Sequence, residues 1–172
     1  MLSLSDNEFS VLSFLVRNFT ERLTIRNMAQ RLDFSAAGVF NILKKLEKQN
    51  IVKGEKLGTG LFYSINFENK IAVHLAEIVL LFSDEKISIN SELFKQAKAA
   101  ISDKKNLLLL VDQVTVLNLI IPNVNIILRS EEEFTDLLRR KDFESLQILK
   151  KGVVLFGEEK LADIIKNCAQ RF

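Results

Sequence analysis

The sequence predicts an α+β fold in two parts: a helical domain closed by a β-hairpin and, behind it, a small α/β domain. Three observations predict it. Thr24 to Phe67 reads as two short helices across a tight turn, then two strands joined by a loop rich in Gly and Lys. Beyond Lys86, helical and strand-like periods alternate. The charge is split, with nine Lys/Arg against six Asp/Glu in residues 1–67 (net +3) and fifteen against sixteen in residues 68–172 (net −1).

The elements follow in order. Ser5 and Glu8 have the spacing of a capping box, with Leu4 placed to staple against Phe9. Phe9, Leu12, Leu15 and Val16 then recur at helical spacing to about Arg17. Thr24 caps a second helix that turns Ile25, Met28, Ala29 and Leu32 inward, and Ser35 caps a third running to about Gln49. Ile51 to Lys53 and Leu61 to Phe67 alternate as strands, with Gly54, Gly58, Thr59 and Gly60 as the flexible connection. Asn69 can cap a helix to about Ser83 whose apolar residues wrap most of its circumference, so it must be covered on more than one side. Ser83 to Lys86 is the expected boundary. After it come a helix over Ser91–Ile101 and strands at Leu107–Val111, Val116–Ile121 and Val124–Leu128. Helices at Glu131–Arg140 and Phe143–Lys151, Gly152 as the residue after the helix end, a strand Val153–Phe156 and a last helix Glu158–Asn167 complete the chain. The expected domains are therefore 1–68, a connecting helix 69–85, and 86–172.

Composition narrows the function. With 48% hydrophobic and 27% charged residues, the chain has the make-up of a globular protein, and its one cysteine, Cys168, excludes an intramolecular disulfide and a cysteine-based zinc site. No signal peptide is read at the Met1 end, and the most apolar helix, Ile71 to Phe82, is shorter than the roughly twenty residues a membrane span needs. A cytoplasmic protein without membrane association, metal or cofactor is expected.

The third helix carries the functional expectation. At about 100° per residue, Val39, Leu43 and Leu46 share one face, with Ile42 at its edge, while Ala37, Asn41, Lys44, Lys45 and Lys48 share the other. Ser35, Ala37 and Gly38 keep the helix start slim enough to approach base edges. The Asn41 amide can pair with adenine N6 and N7, and the lysines reach phosphates where the helix leaves the groove. Lys53 and Lys56 flank the hairpin loop with Thr59 at its tip, and Arg26 and Arg31 on the second helix can touch the backbone from the other side. Phe40 falls at the border of core and surface and is read first as packing, with a role toward a partner as the other reading. Together these residues describe a winged helix-turn-helix that places one helix in the major groove of double-stranded DNA.

Residues 5–67 resemble the MarR/ArsR-type and archaeal winged-helix transcriptional regulators. The resemblance lies in Ser35-Ala36-Ala37-Gly38-Val39 at the helix start and in Leu43-Lys44-Lys45-Leu46-Glu47 followed by Asn50-Ile51-Val52. Asn50 stands where Gly is common, and Asn tolerates the same left-handed backbone. The resemblance implies sequence-specific DNA binding, usually as a homodimer.

In the rear half, Glu133-Phe134, Lys150 to Leu155 and Gly157 more faintly resemble the end of minimal nucleotidyltransferase domains. Such enzymes use a Gly-Ser loop and a D-x-D pair with a third carboxylate to hold two Mg²⁺. Here Val111-Asp112-Gln113 runs on without that loop, and Val116, Asn118 and Asn125 stand where carboxylates are needed. The resemblance thus implies a remnant that is not an enzyme, open to an unknown effector or protein partner; the alternative reading of the whole chain is an inactive partner or interaction module. Among other candidates, His74 is read as a packed or capped imidazole. Glu131-Glu132-Glu133 with Asp136 is read as the acidic first turn of a helix, and Cys168 as structural.

Overall fold

The computed structural model describes residues 4–82, 97–103, 105–112 and 123–169. The chain divides into two compact units, residues 1–79 and 80–172.

In the first unit, α1 (Asp6–Arg17), α2 (Ile25–Leu32) and α3 (Ala36–Lys48) start where the sequence places their caps. The Ser5 hydroxyl accepts from the Glu8 backbone N–H, and Glu8 Oε2 accepts from the Ser5 N–H at 2.8 Å, completing the capping box. Thr24 Oγ1 accepts from Asn27 N–H at 3.2 Å, and Ser35 Oγ from Gly38 N–H at 3.0 Å. Helix α2 ends on Asp33 in a left-handed conformation, φ 56°, which turns the chain directly into the cap of α3. Val11, Leu12, Val16, Met28, Val39, Leu43 and Leu46 form the fully buried helical core.

Strands β1 (Val52–Leu57) and β2 (Gly60–Ile65) make the antiparallel hairpin. Strand β1 runs past the expected Lys53, so Gly54 lies within it, paired with Tyr63, and only Gly58 and Thr59 form the loop. A Cβ on Gly54 would lie 2.5 Å from Glu47 Oε1 and 3.1 Å from the Tyr63 ring, so this glycine makes room for the Glu47 side chain over the hairpin. Gly58 has φ +59° and Thr59 does not share the positive φ, the sign pattern of a type II′ turn.

Helix α3 finishes in a Schellman motif. Asn50 N–H donates to Glu47 O and Ile51 N–H to Leu46 O, both at 2.9 Å, with Asn50 at φ 61° as expected for a left-handed position. The Asn50 carbonyl then accepts from two further side chains, Asn66 Nδ2 at 3.0 Å and Asn69 Nδ2 at 2.9 Å. Asn66 is buried and also reaches Asn50 Oδ1 at 2.9 Å, while Asn69 Oδ1 caps α4 (Lys70–Leu81) through Ile71 N–H. Three asparagines thus bind the end of α3 to the end of β2 and the start of α4. Helix α4 buries Ala72, Leu75, Ala76, Val79 and Leu80 and leaves Ile71, Ile78 and Leu81 exposed.

The second unit is a four-stranded mixed sheet in the order β5-β4-β3-β6, formed by β3 (Ala97–Ser102), β4 (Asn106–Val111), β5 (Asn125–Arg129) and β6 (Val153–Phe156). Strands β4 and β5 are parallel, and β3 is antiparallel to both its neighbours. Helices α5 (Glu131–Arg139), α6 (Phe143–Lys151) and α7 (Glu158–Ala169) pack with it. The expected helix over Ser91–Ile101 is corrected over its described part, because Ala97 to Ser102 is an inner strand. Ala99, Ala100, Ile101 and Ser102 are all buried there, and their burial between two neighbouring strands overrides the helical preference of alanine. Gly152 is corrected in detail. It ends α6 in an extended conformation, φ −73°, and lacks a side chain because a Cβ would run into Ile148 O and lie 2.5 Å from the Ile101 side chain. The expected boundary at 83–86 and the strand Val116–Ile121, with Val116 and Asn118, lie outside the described residues.

Candidate nucleic-acid interface

Helix α3 separates its faces as the spacing predicts. Val39, Leu43 and Leu46 are buried, whereas Ser35, Ala37, Asn41, Lys44, Lys45 and Lys48 are exposed. Gly38 is half-buried. A Cβ there would come within 2.9 Å of Ser35 Oγ, so the glycine also protects the helix cap. Arg26, Arg31, Lys53, Lys56 and Thr59 are exposed as well.

The seven basic candidates are not equivalent. Lys44 Nζ lies 2.8 Å from Glu47, Arg31 2.8 Å from Glu21, Lys53 2.9 Å from Glu68, and Lys45 2.5 Å from Glu8 Oε1. Among the described residues, Arg26, Lys48 and Lys56 take part in no ion pair. They are the cations a polyanion meets without competition. Exposed pairs such as Lys53–Glu68 exchange a protein carboxylate for a phosphate at little cost. Lys45 differs, because the Glu8 carboxylate is almost wholly buried and would be stranded. Burial raises the Glu8 pKa, but hydrogen bonds from Lys45 and the Ser5 backbone outweigh it and hold the carboxyl below its ordinary value. The Lys44 pKa is raised, first by Glu47 and second by Tyr63, whose buried hydroxyl lies nearby without a well-formed hydrogen bond.

Two features escaped the sequence reading. Phe40, read first as packing and second as a partner contact, is 40% exposed on the outward face, with the Lys44 ammonium 5.9 Å from its ring centroid. A wheel places it next to Ala37 and Lys44, so the position was visible but its direction was not. Glu8, Glu21 and Glu68 pair with basic residues distant in the sequence, and no local signal announces such pairs. The start of α2 is also tied to the hairpin, through an antiparallel bridge between Thr24 and Phe62.

The remaining candidates are engaged elsewhere. His74, read as a packed or capped imidazole, is exposed rather than packed, and its Nδ1 is capped by Glu77 at 2.9 Å. Glu131 and Glu133 pair with Lys160 and Arg129 in the first turn of α5, and Asp136 with Arg139. No group of His, Cys, Asp or Glu among the described residues could hold a metal ion. Cys168 is buried, its thiol directed at Thr135 O. Asp112, at the end of β4, pairs with Lys98, and Asn125 bonds Asn106 at 3.2 Å. No described helix is long and apolar enough to cross a membrane.

Among solved structures, a glycine-to-lysine mutant of MepR from S. aureus aligns with 44% of this chain at 16% identity and a TM-score of 0.39. The alignment spans 56% of that chain, about half its length. No curated protein matches the sequence. The MarR family model matches residues 2–59. Helices α1–α3, strand β1 and the hairpin turn fall within that stretch, and strand β2 lies beyond it.

Proposed function

We propose that this protein is a transcriptional regulator that binds double-stranded DNA, with α3 in the major groove and the 53–60 hairpin loop on the flanking backbone. The observation that carries the reading is the outward stripe of α3. Small Ala37 and the Asn41 amide lie near the helix start, Lys44 and Lys48 lie further along, and the opposite face is sealed in the core. That order suits a helix whose first turns approach base edges and whose later turns meet phosphates. Arg26 and Lys56 add cations on α2 and the hairpin. The exposed Ile71, Ile78 and Leu81 of α4 support a homodimer joined through that helix. A regulator of this kind works in the cytoplasm. We assign the second unit a non-catalytic role, as a nucleotidyltransferase-like remnant open to an effector or protein partner. The pairing of Asp112 with Lys98 and the neutral Asn125 on β5 support that role.

The test is binding of genomic duplex fragments over a salt series. Asn41→Ala should cost about 1–3 kcal/mol and relax the choice at one base. Failure to retain any duplex at low salt rejects the proposal.

A further inference from the structure

Phe40 has no polar atom, yet it stands 40% exposed in the middle of a polar stripe. It is the fifth residue of α3, between Ala37 one turn before and Lys44 one turn after. Its ring has the Lys44 ammonium 5.9 Å from the centroid, and that ammonium pairs with Glu47 at 2.8 Å. At that distance the cation lies at the outer limit of a cation–π contact, and two-fifths of the residue stays open to solvent. If α3 enters the major groove, the ring meets the groove floor near the amide of Asn41. Base edges there present acceptors and donors that a benzyl group cannot satisfy, with one exception, the C5-methyl of thymine.

We infer that Phe40 is a specificity-determining residue that packs on a thymine methyl in the major groove, a role that rests on the DNA-binding reading above. Lys44 orients the ring through the cation–π contact. Desolvation of the methyl group against the ring supplies the discrimination, and no hydrogen bond is required.

The experiment uses the full chain and duplexes it selects from a randomised pool. In each selected duplex, thymines are replaced one at a time by uracil, which keeps the pairing and O4 and removes only the methyl group. One thymine in the bound site is expected to show a loss of about fourfold in wild-type affinity on replacement, the worth of one buried methyl-sized group. Phe40→Ala should bind the thymine duplex several-fold more weakly and show no further loss with uracil, while Phe40→Leu should keep part of the discrimination. A wild-type protein that binds selected duplexes but is indifferent to every uracil, or a Phe40→Ala variant as sensitive as wild type, overturns the assignment and leaves the DNA-binding reading in place. Recovery of no duplex at low salt overturns both.

Discussion

Lys45 Nζ sits 2.5 Å from Glu8 Oε1, while the other oxygen of the same carboxylate closes the capping box of α1 on the Ser5 N–H at 2.8 Å. One buried carboxylate thus serves the first turn of α1 and the last turn of α3 together. The pair anchors the proposed reading helix to the domain, and the Lys45 charge is already answered from within.

Stability should report this carboxylate through pH. The Glu8 pKa lies below its ordinary 4.5 because its hydrogen bonds outweigh its burial. A depressed pKa contributes stability that is complete above the unfolded value and disappears as pH falls through the folded one. Glu8→Gln should therefore cost about 1–2 kcal/mol near neutrality, with the gap to wild type narrowing as pH falls below the ordinary value of 4.5. Denaturant melts from pH 7 to pH 3 measure the gap; a constant difference would mean the charge contributes nothing.

The free and paired cations should separate in a salt series. Arg26→Ala, Lys48→Ala and Lys56→Ala should each flatten the plot of log affinity against log salt by about 0.9 unit. Lys45→Ala should change that slope less and lower the melting temperature more, since it strands Glu8. Equal slopes for Lys45→Ala and Lys48→Ala would contradict this division.

Two glycines should respond differently to alanine. At Gly58, φ is +59° and nothing lies within 4 Å of an added Cβ, so only backbone strain of about 1–2 kcal/mol is expected. At Gly157, φ is +78° and the Cβ would meet Lys98 O and lie 2.5 Å from the Ala99 Cα. Strain and overlap together should cost about 2–4 kcal/mol. Equilibrium unfolding of the two variants checks the order.

The exposed stripe of α4 has its own variant. Ile78 is 51% exposed, so Ile78→Glu should leave the fold intact and convert a dimer to a monomer by light scattering. Leu80 is fully buried, and Leu80→Glu would unfold the region and settle nothing about association. An Ile78→Glu protein of unchanged mass that remains dimeric would exclude this face as the contact.

What could be read in advance was local. Ser5 with Glu8, Thr24, Ser35 and Asn50 act on groups within a few residues, and each does in space what its spacing announces. The buried trio Val39, Leu43 and Leu46 follows from helical geometry alone. Ala97 to Ser102 went the other way because its partners, Leu107 to Val111 and Val153 to Phe156, lie elsewhere in the chain, and alanine by itself favours a helix. The candidate site divides similarly. Exposure of Asn41 and Lys48 was legible from the wheel, whereas the engagement of Lys45, Lys53 and Arg31 depended on distant carboxylates.

The asparagine cluster has a mechanical consequence. Both acceptor positions of the Asn50 carbonyl are occupied, one by Asn66 and the other by Asn69, and Asn69 is itself the cap of α4. Any tilt of α4 at its first turn must either drag that carbonyl along or break the bond to it. The pitch of α3 and the attitude of α4 are therefore geared to each other through a single oxygen atom.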